Sequence, residues 1–277
     1  MRRLEGKVAL ITGAGRGMGR SHAIRLAEEG AAIVALDICR DIDNASTGMA
    51  TEGDLAETAL LVEKAGGSVV TVEADVRDLA ALQAAASTAV DHFGGLDVVC
   101  ANAAIASFGR SWELTEEAWR DVLDVNLTGS WHTAKACLPA MIEAGRGGSI
   151  VFVNSVNGLK SGPGISHYAA SKHGVVGLMK SLAAEVGGFG IRVNSVHPTM
   201  VGTDMTMNEA AFRRYLPEVP EPTLADMERL MAGRHALDVP MIEAVDVSNA
   251  VLWLASDEAR YVTGVSLPID AGMLVVR

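Results

Sequence analysis

The stretch Val8-Ala9-Leu10-Ile11-Thr12-Gly13-Ala14-Gly15-Arg16-Gly17-Met18-Gly19 decides how this chain is read. A short run of β-formers leads into glycine at every second position, and a helical pattern follows from about Gly17 to Gly30. Gly30 marks the stop, because glycine takes up the left-handed conformation that ends many helices. In that setting Gly13 and Gly17 let the backbone turn tightly and approach a pyrophosphate, and Gly19 lets helix pack on strand. The unpaired N–H groups of the helix N-terminus attract the phosphate charge. Alone, the glycines are equally well a plain turn. Here Asp37 stands 18 residues past Gly19, at the end of the next β-rich run, where it would accept hydrogen bonds from an adenosine ribose diol. A 2′-phosphate there would meet a like charge, which favours NAD over NADP. Arg16 argues mildly the other way, since a cation near the adenosine end suits NADP, unless it is only a solvated surface arginine.

Outward from this stretch, Val8–Thr12, Ala32–Asp37, Val69–Glu73, Val98–Ala101, residues 150–154, residues 192–197 and Ser266–Ile269 read as strands, with Ala-rich helical segments between them. The alternation predicts an α/β protein: a single domain over residues 1–277, with a doubly wound parallel sheet of about seven strands and helices on both faces. Asp54 and Glu57 form a D-x-x-E start pattern for the second helix, and Gly66-Gly67 would stop it. Two segments break the regularity. Residues 38–53 form an insertion loop of Asp, Asn, Ser, Thr and Gly without periodicity. It is longer than the ~2–6 residues usual between strand and helix. Residues 203–240 hold Pro217, Pro220 and Pro222 among Met205, Met207, Phe212, Tyr215, Leu216, Met227 and Met231, and read as a substrate lid. Those methionines serve equally well as gap filling or as an adaptable apolar ligand surface.

Of the 277 residues, 49% are hydrophobic and 21% charged, enough for a large core and against disorder. Only 4% are aromatic, and a core of Ala, Val, Leu and Gly suits buried parallel strands under closely packed helices. The net charge of −11 disfavours nucleic acid and anionic lipid, so a neutral or cationic small molecule is the expected partner. The basic start is followed by an apolar run, residues 8–11, that Thr12 and Gly13 cut too short for a signal peptide. No run reaches the ~18 apolar residues of a spanning helix, so a cytoplasmic protein without membrane partners is expected. Cys39, Cys100 and Cys137 lack metal-ligand spacing and are odd in number, which predicts reduced thiols, no disulfide and no metal.

A second constellation carries the chemistry. Tyr168 and Lys172 stand four apart in a helical segment, which puts phenol and ammonium on one face, and Ser155 ends the preceding strand. A free phenol has a pKa near ~10. Neighbouring positive charge from Lys172 and an oxidised nicotinamide ring would bring Tyr168 into the range of a working general base. Ser155 would hold the substrate oxygen and orient the reacting carbon. Taken alone, a Tyr-x-x-x-Lys pair is as readily a surface aromatic beside a solvated lysine.

Thr12-Gly13-x-x-x-Gly17-x-Gly19, Asn102-Ala103-Ala104, Asn126, Ser155, Tyr168 and Lys172 together resemble the classical short-chain dehydrogenase/reductase family, from about residue 6 to residue 272. The resemblance implies a Rossmann-type fold and an NAD-dependent oxidoreductase that moves hydride between a secondary alcohol or ketone and the nicotinamide ring, with Tyr168 as general acid or base. It further implies that Lys172 binds the nicotinamide ribose and that Asn126 holds a water relaying protons to it. Asp75 and Val76 would lie beside the adenine, with Ile38 flanking the same ring. Met18, Asn102, Ala103, Pro198, Val201 and Thr203 would complete the cofactor contacts, Thr203 near the carboxamide. Two positions depart from the family pattern. Its usual Asn-Ala-Gly is Asn102-Ala103-Ala104, a small steric change, and its Pro-Gly is Pro198-Thr199 preceded by His197, which alters the loop on the nicotinamide side. The family also implies a homotetramer with two-fold axes, the Tyr168 helix and residues 267–276 at its interfaces. The apolar ending Leu274-Val275-Val276 fits burial against a partner.

The long insertion and His197-Pro198-Thr199 resemble the mycofactocin-associated, carveol dehydrogenase-like branch. That resemblance implies a cyclic or terpenoid alcohol, NAD held so tightly that it does not exchange, and reoxidation by an external redox carrier, mycofactocin. His167 and His173 flank the Tyr168 stretch, but a helix turns neighbours about 100° apart, which argues against catalysis by His167. Trp112, Trp119, Trp131 and Trp253 read as core or interface residues. A catalytically silent NAD-binding sensor would need only the glycine loop and Asp37, not Asn126, Ser155, Tyr168 and Lys172 together. A methyltransferase on the same fold would offer Tyr168 no proton to move.

Overall fold

The computed structural model describes residues 2–276. Seven strands form one all-parallel sheet in the order β3-β2-β1-β4-β5-β6-β7. They are β1 (Val8–Thr12), β2 (Ala32–Asp37), β3 (Val69–Glu73), β4 (Val98–Ala101), β5 (Gly148–Val153), β6 (Ile191–Pro198) and β7 (Ser266–Ile269). The doubly wound sheet expected from the sequence is thus observed, with β5 beginning two residues earlier than read. The strand code is simple, because side chains alternate faces. Leu10, Val34 and Leu36 pack into one apolar layer, and Ala9, Ile11, Ile33 and Ala35 into the other. Helices α1 (Gly17–Glu28), α2 (Glu52–Lys64) and α9 (Ala244–Ala255) cover the second layer. Helices α3 (Leu79–Phe93), α4 (Glu116–Leu123), α5 (Gly129–Ala144) and α6 (Ser166–Val186) cover the first.

Helix α2 starts earlier than its Asp54-x-x-Glu57 pattern suggested. Thr51 is the cap: its hydroxyl accepts from Asp54 N at 3.2 Å, and the Asp54 carboxylate accepts from Thr51 N at 2.8 Å. Asp54 therefore occupies the third helical position, the acidic half of a capping box.

The insertion after β2 is pinned at both ends. It leaves the strand through Cys39, whose left-handed φ of 52° turns the chain sharply. Ser46 N donates to Ala106 O at 2.8 Å and Asn44 Nδ2 to an Asp121 oxygen at 2.7 Å, so the loop reaches across to the segment after β4 and to α4. Its own Ile42 and Ala50 are buried. The proline-broken segment contains two short helices, α7 (Glu209–Tyr215) and α8 (Leu224–Ala232). Met227 is fully buried there as a gap filler, while Met231, also buried against Met200, borders a cavity. Between α4 and α5 the helix widens into a π-turn, Asp124–Thr128, a feature frequent at functional sites. Among the described residues no helix is long and apolar enough to cross a membrane, no group of side chains could hold a metal, and all three cysteines are free.

Candidate active site

The strand order reverses between β1 and β4, and a cleft of about 1060 Å³, partly open to solvent, lies at their C-terminal ends. Ligands of open α/β sheets bind at such a switch point. Gly13, Arg16, Gly17, Met18, Asp37, Ile38, Asp75, Val76, Asn102, Ala103, Tyr168, Lys172 and Thr203 all line it. Ile42, Met49 and Ala50 of the insertion roof the adenosine-side end.

Close approach dictates the glycines. Gly13 has φ +66°, and a Cβ there would come within 2.9 Å of Ala103 Cα. At Gly19 a Cβ would fall 1.9 Å from Gly13 O, so helix α1 sits on the loop with no room for a side chain. Gly19 itself lines no cavity; its part is to fix the loop. No side chain caps the N-terminus of α1, which leaves its first N–H groups free to meet an anion.

Asp37 Oδ2 accepts from Gly15 N and Oδ1 from Ile38 N, each at 2.8 Å, so the buried carboxylate is aimed by the two backbones it bridges. Asn102 Nδ2 donates to Thr12 O and Gly13 O, while its Oδ1 is buried without a partner among the described residues, an acceptor awaiting a ligand donor. Asp75 is drawn to Arg77 at 2.7 Å and Arg40 at 3.3 Å. Burial alone would raise its pKa, but these cations together hold it below the usual carboxylate range. Arg16 lines the cleft but is held there by protein partners. Its guanidinium pairs with Asp204 at 3.3 Å and donates to Gly48 O, so it ties the insertion to the segment after β6.

A larger cavity of about 1510 Å³ adjoins the cleft and shares Met18, Asn154, Tyr168, Thr203 and Met205 with it. Pro198 and Val201 line this second cavity rather than the cleft. Ser155 opens onto it at the end of β5. Asn157 N and Nδ2 donate to Ser155 Oγ at 3.1 and 3.3 Å, so the hydroxyl's acceptor sites are taken and its proton is left to donate into the cavity. His197, the odd residue before Pro198, is buried behind the same strand end. Ser155 O can only accept, so Nδ1 of His197 donates to it at 2.8 Å, and Nε2 accepts from Ser195 Oγ at 2.8 Å. Burial, helped by the Lys172 charge, lowers the His197 pKa to about 4 and keeps it neutral.

Lys172 Nζ donates to Val153 O at 3.1 Å and lies 5.6 Å from the centre of the Tyr168 ring. Burial lowers its pKa to about 8. The Tyr168 phenol is enclosed at the junction of the two cavities, where the sequence reading expects Lys172 and an oxidised nicotinamide ring together to lower its pKa. Burial pushes it up to about 12; a hydrogen bond from Ser155 and the Arg214 charge pull down, and Tyr215 pushes up. The missing positive charge is the nicotinamide ring of the sequence reading, which the chain itself does not supply. Asn126 is fully buried in the π-turn, its Oδ1 accepting from Ile105 N at 2.8 Å and its Nδ2 donating to Ile105 O at 3.0 Å. His167 lines neither cavity and is pinned to Ser107 Oγ at 2.7 Å. Asn154, Asn157 and Arg214 escaped the sequence reading. Only the Asn154-Ser155 and Asn157 spacing at a strand end could have flagged the first two, and nothing local marks Arg214.

The family model described as short chain dehydrogenase matches residues 7–214. The chain is 50% identical over 273 residues to (-)-trans-carveol dehydrogenase of Rhodococcus erythropolis, covering 98% of this chain and 99% of that one. It superposes on carveol dehydrogenase of Mycobacterium avium, solved in complex with NAD, with a TM-score of 0.97 and 49% identity over the full length of both chains. A short chain dehydrogenase of Mycobacterium paratuberculosis bound to NAD gives a TM-score of 0.89 and 42% identity, with 98% of each chain covered. The chain belongs to the short-chain dehydrogenase family.

Proposed function

We propose that this short-chain dehydrogenase is an NAD-dependent oxidoreductase of secondary alcohols, cyclic or terpenoid ones among them, with Tyr168 as its general acid/base. The observation that carries the reading is the junction of the two cavities, where the Ser155 proton and the Tyr168 phenol face the same point. The cleft suits NAD: an unpartnered Asn102 Oδ1, glycines that leave room for a ligand against main chain, an uncapped helix start and the Asp37 carboxylate all call for such a dinucleotide. When bound, NAD+ supplies the hydride acceptor and the positive charge. Tyr168, as phenolate, takes the proton of the substrate hydroxyl while the carbinol C–H bond breaks, leaving a ketone. Ser155 donates to the substrate oxygen throughout and holds the reacting carbon in line. Lys172 places positive charge over the Tyr168 ring and binds the nicotinamide ribose, and Asn126 in its π-turn holds the proton relay behind it. Residues 203–240 close the substrate cavity as a lid on a single catalytic domain.

The insertion supports a finer reading, in which NAD stays bound between turnovers and an external carrier of the mycofactocin type reoxidises it. A roof anchored by Ser46, Asn44 and the Arg16 guanidinium must open before the adenosine end can leave, and such barriers act on the off-rate. Denaturing the freshly purified protein and assaying the supernatant tests this. About one molar equivalent of NAD(H) is expected; less than about one tenth, with rapid multiple turnover on added NAD, marks a freely exchanging cofactor. Assembly as a homotetramer is proposed with it, since Val275 near the apolar end is 81% exposed in the isolated chain. Light scattering that gave a 28.9 kDa particle at micromolar concentration would refute the assembly.

A further inference from the structure

The substrate cavity carries a charge opposite to that of the chain. The protein has 34 acidic and 23 basic residues, yet the charged side chains lining this cavity are Lys160, Arg214 and Arg234, with no carboxylate among the described lining residues. The rest of the wall is largely apolar, with Met200, Met205, Met231 and Met273 facing the same space.

Two of the three cations converge on one ring. The Arg214 guanidinium carbon lies 4.2 Å from the centre of the Tyr215 ring and 5.5 Å from that of Phe108. The Arg234 guanidinium approaches the same Tyr215 ring at 5.6 Å. Their helical neighbours are neutralised: Arg213 bonds to Glu209 at 2.9 Å, and Arg229 pairs with Asp226 at 3.5 Å. Arg214 and Arg234 have no carboxylate within pairing distance among the described residues, and Arg214 Nε is buried without any partner. Stacking on aromatic faces holds a guanidinium flat but leaves its N–H fork unused. Two like charges gathered on one ring in an apolar cavity repel each other, and an anion between them relieves both the repulsion and the empty donor.

We propose that the substrate is an anionic secondary alcohol, an amphipathic hydroxy acid whose carboxylate is gripped by Arg214 and Arg234 while its apolar body lies on the methionines. This rests on the dehydrogenase reading above and names the substrate class of the same site. A carboxylate matches the planar fork of an arginine bidentately, which makes it the best anion for Arg214. Arg214 and Tyr168 line the same cavity, so anchor and reacting carbon fit within one small molecule. The acidic surface remains, but a local pair of cations decides binding once a ligand is inside.

The test compares a cyclic hydroxy acid with its methyl ester in wild-type protein, with an artificial electron acceptor present. The acid is expected to have a kcat/KM about tenfold or more above the ester. Raising the salt from about 0.05 M to about 0.5 M should lower that ratio severalfold, because Arg234 is exposed and Arg214 only half-buried. In Arg214→Met and Arg234→Met the acid-to-ester ratio should collapse toward one, and a circular dichroism spectrum matching wild type shows that they fold. An ester used as well as the acid by wild type, with no salt effect on the ratio, overturns this proposal and leaves the dehydrogenase reading standing. Failure of acid, ester and neutral cyclic alcohols alike overturns both.

Discussion

The cleft at the ends of β1, β2 and β4 is built from main chain, glycine, small apolar side chains and the carboxylates of Asp37, Asp75 and Asp204, whereas the cavity under α7 and α8 draws its character from methionine, tyrosine and arginine side chains. In the cleft, position depends on backbone geometry, so the same few residue types are forced. A Cβ at Gly19 has nowhere to go, and Asp37 is fixed by two peptide N–H groups. In the cavity many side chains could fill the same space, and its character is set by which of them lack partners. On the proposed reading the first region takes the cofactor and the second selects the substrate. Tyr168 stands where they meet, so the proposed mechanism requires both to be filled.

The sharpest way to break this division is at the junction. Tyr168→Phe removes the proton acceptor but not the ring, so kcat is expected to fall by about 10²–10⁴, the range of general acid–base catalysis, with NAD affinity by fluorescence titration unchanged. Activity within a few-fold of wild type would remove Tyr168 from the mechanism. Ser155→Ala should also lower kcat, by somewhat less. A change in KM alone would make Ser155 a binding residue only.

A smaller effect is expected inside the cleft. Asp37→Ala takes away an acceptor and the repulsion toward a 2′-phosphate, so NAD should bind about tenfold more weakly and its advantage over NADP should narrow. Titrating both cofactors checks this, and an unchanged preference would move the selectivity to another residue, Arg16 being the nearest cation.

The mildest prediction concerns the scaffold that both regions share. His22 between α1 and α9 is fully buried and its pKa is lowered to about 3, and that of His197 to about 4, each mainly by burial. A depressed histidine pKa means that the unfolded chain binds more protons below about 6.5, so stability is present above that pH and is lost on acidification. The urea midpoint should be level near neutral pH and fall as the pH drops from about 6.5 toward about 4. A midpoint that stayed level down to pH ~4 would mean that these histidines become protonated without unfolding the chain.

The difference between the regions also sets what the sequence could disclose. The glycine loop, Asp37 and the ends of five strands were legible because turn geometry and strand alternation leave few residue choices. The tight entry to α2 was misread at Asp54, since Thr51 and Asp54 both satisfy capping rules and only the hydrogen bonds assign the roles. Arg16 was legible as a charge near the adenosine but not as a tie, because its partners Gly48 and Asp204 are brought to it by folding. The raised Tyr168 pKa escaped for a similar reason: sequence places Lys172 nearby but cannot weigh burial against it. Arg214 and Arg234 became informative only once the structure showed no acid within pairing distance of them among the described residues.

The central claim is that Tyr168 and the cleft together move a hydride from a substrate carbon to a nicotinamide. The direct test is a single turnover of the purified protein, with NAD+ supplied, on cyclic secondary alcohols deuterated at the carbinol carbon. Denaturation and mass spectrometry of the nucleotide then read the product, and the result does not depend on whether the cofactor exchanges. Wild type should yield reduced nucleotide heavier by about one mass unit than that formed from the undeuterated alcohol, as hydride transfer requires, and Tyr168→Phe should yield almost none. Ketone formed with the deuterium lost to water, or labelled nucleotide made equally by both proteins, would contradict the account.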